Sequence, residues 1–418
     1  MNKIIDIKKV SSTKHVDVDD QTKETAIDVH KEGGAGKNKE VSPDTPKKTT
    51  DDKKTLSEEN KDKSDSVTKK KNEQPKKTPN SSQKQKDGKK VDLTKMRIIF
   101  MGTGVFANAI LEEIHKNAPG KLVQIITQPD KKVGRKKTGI YRTLAPNPVR
   151  DFAKENDIPL FQPCTCNKET LKVISDAKPG VIVVASYGQI LTKKCLDIPR
   201  FGPINIHASL LPELRGASPV QNALLQGKKE TGVTIMQMDE GIDTGDIIAQ
   251  KTIPILEHEK ADELLKRVAK IGAKLLLEFG PKSVQGEVTP VPQDHSKATL
   301  CQLIDREDGH IQWTQTTEEI YNRYRALHPW PGIFGYWAET ETQLLRIKLR
   351  TIYPYTEEMT DKQKEMLPGT VFIGHDQLCI RTFDSAIIVE AIQPECKAVM
   401  PVYDFLNGHK DFEGAVLK

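Results

Sequence analysis

The first 95 residues of this 418-residue chain contain no Phe, Tyr, Trp, Cys or Arg. They hold 24 Lys against 18 Asp plus Glu, a net charge of +6. So polar a segment cannot bury enough apolar surface to offset chain entropy, so residues 1–95 are expected to form a disordered, lysine-rich tail. Two readings of its lysines stay open. One is a cationic arm that holds RNA loosely by counterion release; the other is a solvated extension whose interspersed acids dilute any field. The opening MNKIIDIKK runs into polar residues, which argues against a secretory signal. The lack of arginine and the abundance of acids argue against a mitochondrial presequence.

Long apolar runs are missing as well: none approaches the ~20 residues that cross a bilayer, so no membrane association is expected. Paired cysteines are also absent. The six, at 164, 166, 195, 301, 379 and 396, show no disulfide-like spacing, and Cys164-Thr-Cys166 has no companion pair to complete a zinc site. Reduced thiols in a cytoplasmic protein are expected, and no metal is called for. Beyond the tail the charges balance, with 40 basic and 40 acidic residues in 96–418, so the net charge reports the tail and not the folded body.

From Met96 the texture changes. "MRIIFMGTGVFANAILEEIHKN" predicts strand, glycine turn and amphipathic helix, and "KLVQIITQ" a second strand. "PVRDFAKENDIP" and "TLKVISDAKP" read as helices, "GVIVVASYG" and "GPINIHA" as strands, and "SPVQNALLQG" as a helix. "TGVTIMQMD" and "DIIAQKTIPI" follow as strands, then a long helix, "ADELLKRVAKIGAKLLLEFG", closed by its glycine. Such alternation predicts an α/β, Rossmann-like, mostly parallel sheet with helices on both faces. Ligands of such sheets bind beyond the carboxyl ends of the strands, which directs attention to the residues after "VVAS", "INIH" and "MQMD". A linker follows, then the helix "TTEEIYNRYRAL", "HPWPG", and the β-rich runs "LLRIKLRTIY", "GTVFIG", "QLCIRT" and "AIIVEAI". These predict a small C-terminal β-barrel, OB-like in kind.

"GTGVFA", residues 102–107, fits a dinucleotide fingerprint, but the acid it wants is offered only by Asp130, past a proline in a basic loop. A tight strand-to-helix turn is the plainer reading. The loop from Gln128 to Arg150 carries Lys131, Lys132, Arg135, Lys136, Lys137, Arg142 and Arg150. It suits capture of a phosphate backbone, and an ordinary solvated loop is the alternative. In "INIH", period-two alternation sets Asn205 and His207 on one face. An amide can donate to a developing oxyanion, and an imidazole can shuttle a proton near neutral pH. "MDEGIDTGD" adds Asp239, Asp243 and Asp246. Calcium binding is excluded there, since positions six and twelve counted from Asp239 are Thr244 and Gln250. Amide, imidazole and carboxylate together suit acyl transfer without a protein nucleophile. Asn205 and protonated His207 would stabilise the oxyanion, and His207 with Asp243 would handle the proton that an attacking amine loses.

At this point "NIHASLLP", "LRGASPVQ", "GVTIMQMDEGIDTGD" and "ITQPDKKVGR" resemble the methionyl-tRNA formyltransferase family, from Met96 to nearly the C-terminus. The resemblance implies formyl transfer from 10-formyltetrahydrofolate to the amino group of methionine on initiator Met-tRNA. It implies Asn205, His207 and Asp243 as catalytic, and Ser209, Leu210, Leu211 and Pro212, with Tyr187 and Gly188, against the folate. It also implies Lys131, Arg135, Lys136 and Lys137 in contact with tRNA. The expected divisions are the tail at 1–95, catalysis at 96–285, a linker at 286–308 and a tRNA-gripping barrel at 309–418, in a monomer. The alternative is another 10-formyltetrahydrofolate-dependent formyltransferase acting on a small amine; it has no need of the basic loop or the extra β domain. Three features depart from the family pattern. "GTGVFA" stands where "GTPxFA" is expected, the basic loop is longer around "TGIYRTLAP", and the tail has no counterpart.

Overall fold

A computed structural model describes residues 95–118, 120–130, 132–133, 143–144, 147–340 and 343–418. The expectations for the tail fall outside these residues, as do Lys131, Arg135, Lys136 and Lys137.

The chain begins with β1 (Ile98–Gly102), α1 (Gly104–Asn117) and β2 (Leu122–Ile126). Two short strands, β3 (Lys132–Val133) and β4 (Thr143–Leu144), pair antiparallel inside the basic loop. Then come α2 (Pro148–Glu155), β5 (Leu160–Phe161), α3 (Lys168–Asp176), β6 (Val181–Ala185), α4 (Lys193–Leu196) and β7 (Pro203–His207). β8 (Arg215–Gly216), α5 (Pro219–Leu225), β9 (Glu230–Gln237), β10 (Ile247–Pro254) and α6 (Ala261–Val284) complete the first part. Its sheet has the order β10-β9-β7-β6-β1-β2-β5. The strands from β7 to β5 are parallel, whereas β9 runs antiparallel to both β7 and β10.

Side-chain alternation sorts the core into two layers. Phe100, Val183, Ile204 and Ile206 pack with residues of α1, α5 and α6. Ile99, Met101, Ile182 and Val184 pack with Ile174 of α3 and with Cys195 and Leu196 of α4. Because Ile204 and Ile206 belong to the first layer, Asn205 and His207 face the other way.

Two expectations about elements are corrected here. The long helix does not stop at Gly280; it runs through Pro281 to Val284. Proline removes only one N–H, the Gln285 N–H still reaches the Pro281 carbonyl, and Val284 is buried. The strand "TGVTIMQMD" does not end at the same sheet edge as "INIH". In the antiparallel register Gln237 lies beside Ile204 and Thr234 beside His207. The chain re-enters the sheet at the carboxyl end of β7, and β9 ends at the amino end of β7.

The segment after α6 is bound to the first part. β11 (Leu300–Cys301) pairs with β8, and Val291 bridges to Ile247. α7 (Thr317–Ala326) then begins at a capping box in which Thr316 and Glu319 satisfy each other's backbone. The antiparallel strands are β12 (Ile333–Thr340), β13 (Gln343–Pro354), β14 (Val371–Gly374), β15 (Gln377–Arg381) and β16 (Ala386–Pro394), with β17 (Met400–Pro401) beside β16. Their order is β12-β13-β16-β15-β14. β12 is an element the sequence reading missed, since glycines at 332 and 335 and the flanking prolines read as breakers. The sheet closes through the C-terminal residues. Lys418 exchanges both backbone bonds with Tyr336 on β12, while Gly414, Ala415 and Leu417 bond the backbone of Gly369 and Val371 at β14.

Candidate active site

The residues of β7 are all buried, Asn205 at 8% and His207 at 6% exposure. Polar groups so buried need partners. The loop from Met238 to Asp246 supplies them. It leaves β9 at the amino end of β7 and returns Asp243 to the level of His207. Asn205 Nδ2 donates to Asp243 Oδ1 at 3.2 Å, and His207 Nδ1 lies 3.4 Å from Oδ2. The Gly216 N–H donates to the same Oδ2 at 2.8 Å.

The other ring nitrogen of His207, Nε2, is 2.8 Å from the Leu214 carbonyl. A carbonyl only accepts, so Nε2 carries a proton in this contact. The ring with both nitrogens protonated satisfies the carbonyl and the carboxylate together.

Backbone strain collects around these contacts. Leu214 (φ 56) and Asp243 (φ 52) both occupy the left-handed region, which is rare for leucine. The surroundings over-determine both. The Leu214 N–H donates to Thr299 Oγ1 at 2.8 Å. Gln293 Nε2 donates to the carbonyls of Asp243 (2.9 Å) and Gly245 (2.7 Å). Gly245 must be glycine, because a Cβ there would sit 1.8 Å from the Gln237 carbonyl oxygen. Gln293 Oε1 in turn accepts from Arg215 Nη2 at 2.6 Å, and Arg215 also meets His295 Nδ1 at 3.0 Å. Both Arg215 and Gln293 are nearly inaccessible, at 6% and 5% exposure. Sequence reasoning missed Arg215 and Gln293, because a glutamine in "PVPQDH" carries no local signal of a partner 50 residues earlier.

The remaining sequence-predicted residues surround this centre unevenly. Ser209 is fully buried and its hydroxyl donates to the Glu213 carbonyl at 2.7 Å. Leu211 is buried, with its N–H on Thr234 Oγ1 and its carbonyl on Gln250 Nε2, while Leu210 and Pro212 are half-buried. The Tyr187 ring lies in the second core layer beside Cys195 and Cys166, where burial pushes its hydroxyl pKa up. Its carbonyl accepts from Gln128 Nε2 at 2.7 Å. Gly188 is exposed and helps line a cavity of about 340 Å³ with Gln128, Asp130, Cys164 and Gln189. Asp239 Oδ1 accepts instead from Thr244 Oγ1 and the Gly241 N–H.

Two candidate contacts change character. Arg150, counted among the cations for a phosphate backbone, is tied to Asp130 at 2.8 Å and Asp151 at 2.7 Å. Chiefly through its bond to Arg150, the Asp130 carboxyl is held below its ordinary value, which leaves no free acid for a ribose. Gly104, standing in the proline position of the family pattern, has φ 84, which no proline reaches. Glycine at this position thus gives the turn a backbone path that proline cannot follow.

Two family models match this chain, a formyl transferase domain over residues 96–279 and a formyl transferase C-terminal domain over 303–410. The methionyl-tRNA formyltransferase of Caldicellulosiruptor saccharolyticus is 40% identical over 325 residues, covering 77% of this chain and 100% of that protein. The enzyme of the same name from a Geobacillus species is 40% identical over 316 residues, 75% of this chain and 94% of its own. Among solved structures, HypX from Aquifex aeolicus in complex with tetrahydrofolic acid aligns with TM-score 0.49 and 16% identity, covering 75% of this chain and 47% of that one. With relatives matched from end to end at this identity, the chain belongs to the methionyl-tRNA formyltransferase family.

Proposed function

We propose that this chain transfers the formyl group of 10-formyltetrahydrofolate to the amino group of methionine on initiator tRNA. The observation that carries the chemistry is the convergence of Asn205 and His207 on Asp243 at the end of β7. The acceptor rests on the end-to-end likeness to enzymes named for it.

In the reaction a bond forms between the amine nitrogen and the formyl carbon, and the bond from that carbon to N10 of the folate breaks. The amine loses a proton and N10 gains one. Asn205 Nδ2 and a His207 N–H turn from their present acceptors to the carbonyl oxygen as negative charge builds on it. Asp243 orients the imidazole, and the His207–Asp243 pair carries the proton from the amine towards N10. The Leu214 and Asp243 backbones, both held in the left-handed region by the surrounding contacts, keep these donors at the end of β7, so that only a short turn brings them to the substrate.

Around this centre, Ser209, Leu210, Leu211 and Pro212 form the wall for the folate, with Tyr187 and Gly188 contributing backbone to its pterin end. Lys131, Arg135, Lys136 and Lys137 reach the tRNA. Residues 96–285 carry catalysis, 286–308 form the linker and 309–418 grip the tRNA. The chain works as a monomer in the cytoplasm. Among the described residues no helix is long and apolar enough to cross a membrane.

The test supplies 10-formyltetrahydrofolate with either charged initiator tRNA or small amines. Formyl-methionyl-tRNA is the expected product. Formylation of small amines alone would overturn the acceptor, and no transfer to either would overturn the chemistry.

A further inference from the structure

β13 carries Arg346, Lys348 and Arg350 at alternate positions, while the intervening Ile347 and Leu349 are buried. One face of the strand is therefore core and the other a row of cations. This row borders a cavity of about 470 Å³ lined by Arg306, Trp330, Arg346, Lys348, Glu395 and Cys396. Three cations there face one carboxylate.

Each cation is placed differently. Arg346 is paired with Glu395 at 2.9 Å and lies over the Phe334 ring, 5.5 Å from its centroid. Lys348 Nζ donates to the Pro331 carbonyl at 2.7 Å. Burial, then the nearby Arg346, Arg350 and Arg306, hold its ammonium below the ordinary lysine range. The Arg306 side chain has no hydrogen-bond or ion-pair partner among the described residues, and it is exposed. Trp330, between Pro329 and Pro331, is 59% exposed, whereas Trp313 and Trp337 are 6% and 2% exposed.

Like charges crowded at a cavity call for an anion, and the flat indole beside them separates a nucleotide from a simple anion. We propose that this cavity binds a phosphorylated nucleoside, its phosphate among Arg306, Arg346 and Lys348 and its base against Trp330. A phosphate relieves the repulsion within the cluster. Base stacking on an aromatic ring adds ~1–3 kcal/mol. The same chemistry can come from a free mononucleotide or from one nucleotide of an RNA. Only the RNA source rests on the tRNA reading above.

The test uses the full chain, without formyl donor, so its outcome is separate from that of the formylation assay. Tryptophan fluorescence is followed while AMP, or in a second arm unacylated tRNA, is added. In parallel, iodoacetamide labelling of Cys396 is mapped, with the other exposed thiol, Cys164, as internal control. Saturable quenching is expected, absent in Trp330→Phe, with its midpoint raised about tenfold in Arg306→Gln. Cys396 becomes protected while Cys164 does not. Trp330 and Arg306 are both exposed, so the variants keep the fold. A response to both probes supports the general site, to tRNA alone the RNA source, and to AMP alone the free nucleotide. No saturable quenching with either probe overturns the proposal. So does quenching untouched by Arg306→Gln, or Cys396 labelling that no probe slows.

Discussion

His207 meets an acceptor at each ring nitrogen, the Leu214 carbonyl on one side and Asp243 on the other. That arrangement makes the ring a poised donor. His207→Ala should lower kcat about a hundredfold or more, the scale of lost acid–base catalysis, with tRNA affinity unchanged in a filter-binding assay. Gln293 is a positioning residue: its amide holds the carbonyls of Asp243 and Gly245, and its oxygen serves Arg215. Gln293→Ala leaves Arg215 buried without that acceptor, which should cost ~1–3 kcal/mol in urea unfolding, and turnover should fall about tenfold as Asp243 loosens. Gln293→Glu keeps the acceptor but cannot donate to the two carbonyls. It should recover stability without recovering kcat; full recovery of both would show that the tethers to the Asp243 loop do not matter. Asn205, His207 and Asp243 were legible from residue type and alternation. Arg215 and Gln293 were not, because their function is to hold a loop that only the fold brings to them.

Among elements, β7 shows how far pattern reading reaches. Alternation placed Asn205 and His207 together on one face, and the core layers bear this out. The direction of β9 was out of reach, since it depends on whether the connection after β7 crosses back over the sheet, and residue pattern does not specify that path. β12 was hidden by Gly335 within it and by Gly332 and the prolines that precede it, and the closure of the C-terminal sheet by residues 414–418 depends on contacts with strands distant in sequence. Removing residues 415–418 should open the edges of β12 and β14 and expose the pocket of the buried Leu417. The expected result is a melting temperature lower by several degrees and concentration-dependent aggregation in light scattering. At the end of β2, Asp130 is held by Arg150, with Gln162 and Asn147 behind it. A carboxyl with a lowered folded-state pKa stabilises above its ordinary value of 3.8, and that contribution fades as pH falls through the folded-state pKa. Asp130→Asn should therefore lower the urea midpoint at pH 7, by an amount that shrinks as the pH falls below 3.8.

At the scale of the molecule, the catalytic sheet and the C-terminal sheet share one core and a buried polar seam. Arg325 of α7 donates to the carbonyls of Leu256 and Glu259 and to Asn322 Oδ1. Glu259 takes both Arg267 Nε and Nη2, at 2.8 and 2.6 Å. The Leu256 N–H also donates to this carboxylate, but Arg267 supplies the charge that offsets its burial. Residues 1–95 stand apart in composition, with 24 lysines, 18 acids and no Phe, Tyr or Trp. Deleting residues 1–95 should leave kcat unchanged and at most weaken tRNA binding at low salt, the regime in which diffuse charge acts. A large fall in kcat would show that the tail takes part in turnover.

By itself the sequence determined the class of sheet, the three groups of the proposed chemistry and the family. Each is written locally, in apolar period, in residue type and in short motifs. Only the tertiary structure decided that β9 turns back, that Gln293 clamps the Asp243 loop, and that the C-terminal residues seal the second sheet. Only the fold, too, drew Arg306 and Trp330 to the cation row of β13. Those outcomes follow from which distant segments pack together, and packing is a property of the whole chain.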